Sequence, residues 1–148
     1  MKKGRFYIML VMVTMIAGCA GNVTTLGVDN GRLIPCPDSP NCVNSQAAAG
    51  DKHFIPAIEY KCTRAQARQR LLEIIRDTGR TRVITSADDY IRAEYTSRIF
   101  RFVDDVEFYF PPEPVIHVRS ASRLGYSDLG ANRKRIERIR ERFSGADD

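Results

Sequence analysis

The sequence predicts an α+β domain. It should hold an antiparallel sheet of about five strands in the order β-α-β-β-β-β-α, with both helices on one face. Three observations lead there. Two segments repeat apolar residues at helical spacing beside capping residues. The segments between them alternate apolar with polar residues or are β-branched, as strands do. The links joining those strands are of hairpin length, which suits antiparallel neighbours rather than parallel crossovers. The chain has no internal repeat and no glycine-rich phosphate loop.

The first segment stands outside the fold. Lys2, Lys3 and Arg5 precede an uncharged run of about 11 residues, Phe6 to Ile16. A membrane-spanning helix needs ~20 such residues, so residues 1–18 read as a signal peptide. Ile16-Ala17-Gly18-Cys19 resembles the bacterial lipobox. That resemblance implies cleavage before Cys19 and diacylation of its thiol, with acyl chains as the membrane attachment. Ala20 follows the thiol, where an Asp would mark inner-membrane retention in enteric-type bacteria. By the same resemblance the expected place is the outer membrane, facing the periplasm of a bacterial cell envelope.

Removing the signal changes the charge balance. The 23 basic and 18 acidic residues of the full chain, net +5, become 20 and 18, or about +2. A nucleic-acid partner loses its electrostatic support on that count. Residues 19–34, with Gly21, Gly27 and Gly31 and no periodicity, read as a lipidated tether. Residues 35–148 are expected to form one globular domain, with its regular body starting near His53.

Ile55 to Lys61 reads as a short strand at an edge, because Pro56 cannot donate to a ladder. Thr63-Arg64-Ala65-Gln66 matches a capping box, and Ala67, Leu71, Ile74, Ile75 and Thr78 follow at helical spacing. Gly79 is placed to end that helix. Thr81 to Ser86 is a β-branched run and Asp88-Asp89 a turn. In Tyr90 to Thr96, Ile91, Ala93 and Tyr95 alternate with Arg92 and Glu94. Val106, Phe108 and Phe110 mark the next strand, stopped by Pro111-Pro112, and Val115 to Ser120 the last. The final helix is expected from an N-cap at Ser127 to Phe143, burying Leu129, Ile136, Ile139 and Phe143. Ile99-Phe100-Arg101-Phe102-Val103 is apolar for a connection. Core packing or strand extension is its default role, with contact to lipid or a partner as the alternative.

Cys36 and Cys42 flank the turn-rich Pro37-Asp38-Ser39-Pro40-Asn41 and are expected to form a disulfide in an oxidising compartment. A zinc site would lack its remaining ligands nearby, and the spacing is not that of a Cys-x-x-Cys redox pair. Cys62 reads as a buried small hydrophobe. No metal or cofactor is expected.

The densest polar segment runs from Arg119 to Arg133. Arg119, Arg123 and Arg133, with Ser120 and Ser122, surround the entry to the last helix, where anions are favoured. Asp104 and Asp105 precede a strand that can reach the same region, although neighbours in a strand point to opposite faces. Asn132 falls on the apolar helix face and should be buried and hydrogen-bonded. These groups either line an anion-binding cleft or form an internal network fixing the helix to the sheet. His53, by a loop, and His117, within a strand, are weak general-base candidates.

Three ordered blocks resemble the family catalogued as domain of unknown function 1499: Pro35 to Val43, Phe100 to Phe108, and Arg119 to Arg123 with Ser127 to Gly130 and Asn132-Arg133. The resemblance spans residues 33–143 and implies a small domain of bacterial envelope or secreted proteins and of some plastid proteins, without a settled activity. Cys62 stands outside the pattern, which supports pairing of Cys36 with Cys42. The expected function is a non-enzymatic, lipid-anchored domain binding a small anionic ligand or an envelope protein. The alternative is an envelope hydrolase or transferase using Asp104 or Asp105 with Arg119, Arg123 and His117, and a purely structural scaffold is a third reading.

Overall fold

Alternation in the sequence becomes the two faces of one sheet. In the computed structural model, which describes residues 26–145, the elements are β1 (Val28–Asp29), β2 (Arg32–Leu33), β3 (Cys42–Asn44), β4 (Ile58–Glu59), α1 (Arg64–Arg76), β5 (Thr81–Ser86), β6 (Tyr90–Thr96), β7 (Val103–Tyr109), β8 (Val115–Ser122) and α2 (Ala131–Ser144). The signal peptide and Cys19 lie outside the described residues. Five strands follow the order β3-β8-β7-β6-β5, every pair antiparallel, and β4 also pairs with β8 to make the sixth. The fold is thus α+β, as expected, with one strand more than the expected five.

Register decides what each face holds. Ile91, Phe108 and Val118 form one row across β6, β7 and β8, and Ala93, Val106 and Ser120 form the next. These rows join Leu71 and Ile75 of α1 and Ile136 and Phe143 of α2 in a single core, so both helices cover the same face. Thr63 caps α1 through the full capping box: its hydroxyl accepts from the Gln66 amide, and the Gln66 side chain accepts from the Thr63 amide.

Several expectations change. The regular body begins before His53: β1 and β2 make a hairpin within the segment read as tether, Leu33 is buried, and β3 is built into the main sheet. Helix α1 ends at Arg76 with Asp77 as C-cap, so Gly79 is not its terminating residue. Helix α2 starts at Ala131, because Leu129 (φ 53°) and Gly130 (φ 77°) adopt left-handed conformations that break the helical path. Ser127 is therefore not the cap, and Leu129 is 88 % exposed rather than buried. The Asp128 carboxylate accepts from the Gly130 and Asn132 amides in its place. Finally, Ile99 and Phe100 stand in solvent at 80 % and 72 % exposure, so they are not core.

Cys36 and Cys42 are joined by a disulfide, which also removes the zinc alternative at those sulfurs. Cys62 is half-buried against the core rather than within it.

Candidate functional site

The polar cluster read as one region is two, divided by the sheet. Even-numbered residues of β7 and β8 face the helices, and odd-numbered ones face away. Asp104, Ser120 and Ser122 therefore sit with Asn132, while Asp105, Arg119 and Arg123 sit on the opposite face.

On the helix side the groups satisfy one another. Asn132 is fully buried; its amide nitrogen donates to the Asn41 carbonyl (2.9 Å), Ser122 Oγ (3.0 Å) and Asp128 Oδ2 (2.8 Å). Its oxygen accepts from Ser120 Oγ (2.5 Å) and Arg135 Nη1 (2.7 Å). Arg135 also pairs with Asp104 and lies over the Tyr95 ring, 4.8 Å from its centre. Every donor and acceptor of the Asn132 amide is occupied, so this network fastens α2 to the sheet. The helical spacing places Arg135 with Lys134, Arg138 and Glu141 on the face opposite the apolar one; its side chain instead reaches Asn132, three residues earlier, and Asp104.

The other face carries charge in rows. Arg92, Glu107 and Arg119 lie side by side on three strands, and Glu94, Asp105 and Ala121 form the neighbouring row. Glu107 is fully buried and accepts from Arg119 Nη1 (3.0 Å), the Tyr90 hydroxyl (2.8 Å) and the Gly27 amide (2.8 Å). Burial and the Glu107 charge together push the Tyr90 phenol far above its ordinary range, so it serves as a donor only. Arg123 donates from Nε to Asp105 (2.7 Å) and from Nη2 to Glu94 (2.5 Å), and Arg92 reaches Asp105 at 2.9 Å. Burial alone would raise the Asp105 carboxyl, but hydrogen bonds from Arg123 and Arg92 outweigh it and hold it below the usual carboxylate range. The bond from Arg82 likewise holds Glu94 low. Both acids are ionised at neutral pH, and neither has the raised affinity for a proton that a general acid needs.

Over this face lies a cleft of about 490 Å³. Its walls come from Ile34, the disulfide at Cys36 and Gly125; Asp105, Arg119 and Arg123 contribute the charge. Arg119 is 4 % exposed, and its Nε has no hydrogen-bond partner among the described residues. Glu107 and Arg92 were not recognised in the sequence as members of this group. Their signal was available, because the apolar alternation of Val106, Phe108 and Phe110 leaves Asp105 and Glu107 together on the other face.

The remaining candidates lie elsewhere. Arg133 donates to the Lys52 carbonyl at the surface and joins neither network. His53 is buried, its Nδ1 2.9 Å from the Cys42 carbonyl. His117 stacks on Tyr109, with Nδ1 3.2 Å from Ser45 Oγ, and burial lowers its pKa, which keeps it neutral at pH 7. Among the described residues no group of three or more His, Cys, Asp or Glu is arranged to hold a metal ion, and no helix is long and apolar enough to cross a membrane.

A family model described as a protein of unknown function, DUF1499, matches residues 32–143. No curated protein and no solved structure matches the chain.

Proposed function

The chain belongs to the DUF1499 family, which has no assigned activity, and we propose from its own residues that it is a non-enzymatic, lipid-anchored domain of the bacterial envelope. Its task is to bind a small anionic ligand in the cleft above Arg119 and Arg123. One observation carries the reading: Arg119 is buried at that cleft with its Nε donor unmet. A buried donor without an acceptor costs about 1–3 kcal/mol, and Arg119 is one of the residues that line the cleft. Because Glu94, Asp105 and Glu107 balance Arg92, Arg119 and Arg123, the ligand is small and singly charged; a polyanion would meet those carboxylates. A carboxylate fits this chemistry.

The hydrolase or transferase alternative has less support. Asp104 is committed to Arg135 across the sheet from Arg119, and Asp105 is clamped by two arginines. His117 hydrogen-bonds to Ser45 and not to either acid.

The test is calorimetric titration of the chain with acetate, propionate and inorganic phosphate at neutral pH. Saturable heat from a monocarboxylate is expected, abolished when Arg119→Met is combined with Glu107→Leu so that no buried carboxylate is left unpaired, with the fold intact by circular dichroism. Equal heats in the parent and in that double variant, or none from any of the three anions, would overturn the reading.

A further inference from the structure

Six of the eight large hydrophobic side chains exposed on the described surface belong to two neighbouring segments at one end of the sheet. Ile99, Phe100 and Phe102 lie between β6 and β7; Leu124, Tyr126 and Leu129 lie between β8 and α2. The segments are adjacent because the Arg123 amide donates to the Val103 carbonyl at 3.1 Å. The first is closed at its base, where Ser97 N meets the Phe102 carbonyl and Phe102 N meets Ser97 Oγ, both at 2.8 Å. Within it the Phe100 and Phe102 rings stack 5.5 Å apart. These side chains are held outward by an ordered turn.

Beside this apolar end is a second cleft, of about 410 Å³, lined by Arg80, Arg98, Arg135, Arg138 and Arg142 and by no acidic residue. Arg135 and Arg142 have carboxylate partners in Asp104 and Asp77. Arg80, Arg98 and Arg138 have none among the described residues. Arg98 directly precedes Ile99, so uncompensated cations and exposed apolar rings share one turn.

We propose that this end docks on a phospholipid bilayer, with Ile99, Phe100, Phe102 and Leu129 entering the boundary between headgroups and acyl chains. Arg80, Arg98 and Arg138 then hold the phosphate of an anionic headgroup. Apolar side chains flanked by basic residues suit an interface that is oily beneath and negative above. The inference rests on neither the first cleft nor acylation of Cys19.

The chain contains no tryptophan, so a single introduced one reports its own surroundings. The full chain carrying Phe100→Trp is mixed with vesicles of phosphatidylcholine alone, or of phosphatidylcholine with phosphatidylglycerol. With phosphatidylglycerol the emission is expected to shift to shorter wavelength and be quenched by brominated acyl chains, and Leu129→Trp should behave alike. Val28→Trp, on the β1–β2 hairpin next to Gly27, which binds Glu107 on the open face of the sheet, should not respond. Adding Arg98→Glu and Arg138→Glu to Phe100→Trp should weaken phosphatidylglycerol partitioning about tenfold or more, given ~1 kcal/mol per basic residue at such a surface. Inorganic phosphate alone should leave the emission unchanged. An unshifted Phe100→Trp on vesicle-bound chain overturns the proposal, as does the same emission shift on both vesicle types. So does a shift that needs no vesicles and grows with protein concentration, which would make a second copy the occupant.

Discussion

Two groups of arginines in this molecule are treated in opposite ways. Arg92, Arg119 and Arg123 sit on the open face of the sheet, and each meets Glu94, Asp105 or Glu107 within 3.0 Å. Arg80, Arg98 and Arg138 stand around the second cleft, and none of them forms an ion pair with a carboxylate among the described residues. The difference follows from burial. A guanidinium as buried as Arg119 needs a partner, because an unpaired charge in the interior costs several kcal/mol. A solvated arginine needs none, so its charge remains available to an outside ligand. The first group builds the domain and leaves one donor over; the second contributes almost nothing to folding.

Removing Glu107 should separate the groups most widely. Glu107→Ala strands Arg119 and is expected to destabilise the fold by about 3–5 kcal/mol in urea denaturation. Combining Glu107→Leu with Arg119→Met should recover most of that loss; a double variant as unstable as the single one would show that the pair matters for packing rather than charge. Asn132→Ala comes next, at about 2 kcal/mol, because it leaves Ser120, Ser122 and Arg135 short of partners beneath α2. A loss below about 0.5 kcal/mol would mean that water refills the site.

Acid should expose the contrast again, since arginines do not titrate and the groups that face them do. Burial lowers His117, so the fold holds the neutral imidazole. That contribution is complete above the ordinary histidine value of ~6.5 and is lost as pH falls through the lowered one. The depressed Asp105 and Glu94 add a second loss as pH drops below ~4. His117→Gln should remove only the first loss, an effect of about 1 kcal/mol or less in the pH dependence of thermal melting. The smallest effect belongs to the second group. Arg98→Ser with Arg138→Ser should change stability by no more than about 0.5 kcal/mol; a larger loss would place those arginines among the structural ones.

What the sequence made legible was what depends on local period. The strands at 81–86 and 90–96 and the capping box at Thr63 announce themselves through spacing alone. β3 does not: three residues without alternation become a strand only because Cys42 meets Ala121 and Asn44 meets Arg119 far along the chain. Ser127 is a good capping residue in the sequence, but the left-handed turn at Leu129 and Gly130 delays the start of α2 to Ala131. The site was half legible. Asp104 and Asp105 point apart, as strand alternation requires, and the same alternation separates Arg119 and Arg123 from Ser120 and Ser122, which a dense polar run does not reveal by composition alone. Glu107 stayed hidden because a lone Glu inside an apolar strand resembles a solvent-facing residue until something covers that face. Here the cover includes the N-terminal segment, whose Gly27 amide reaches the Glu107 carboxylate.

β8 has a consequence for the order of assembly. It is the last strand made, and it receives β3 and β4 from before α1 as well as β7 from just upstream. Both early strands emerge from the ribosome long before their partner. Pairings of such sequence separation form slowly, since loop closure precedes any gain from contact. A chain that stops short of residue 115 loses three pairings at once, and with them the floor of the first cleft. The domain therefore completes itself from its C-terminal end, with the segment around the disulfide among the parts that must wait.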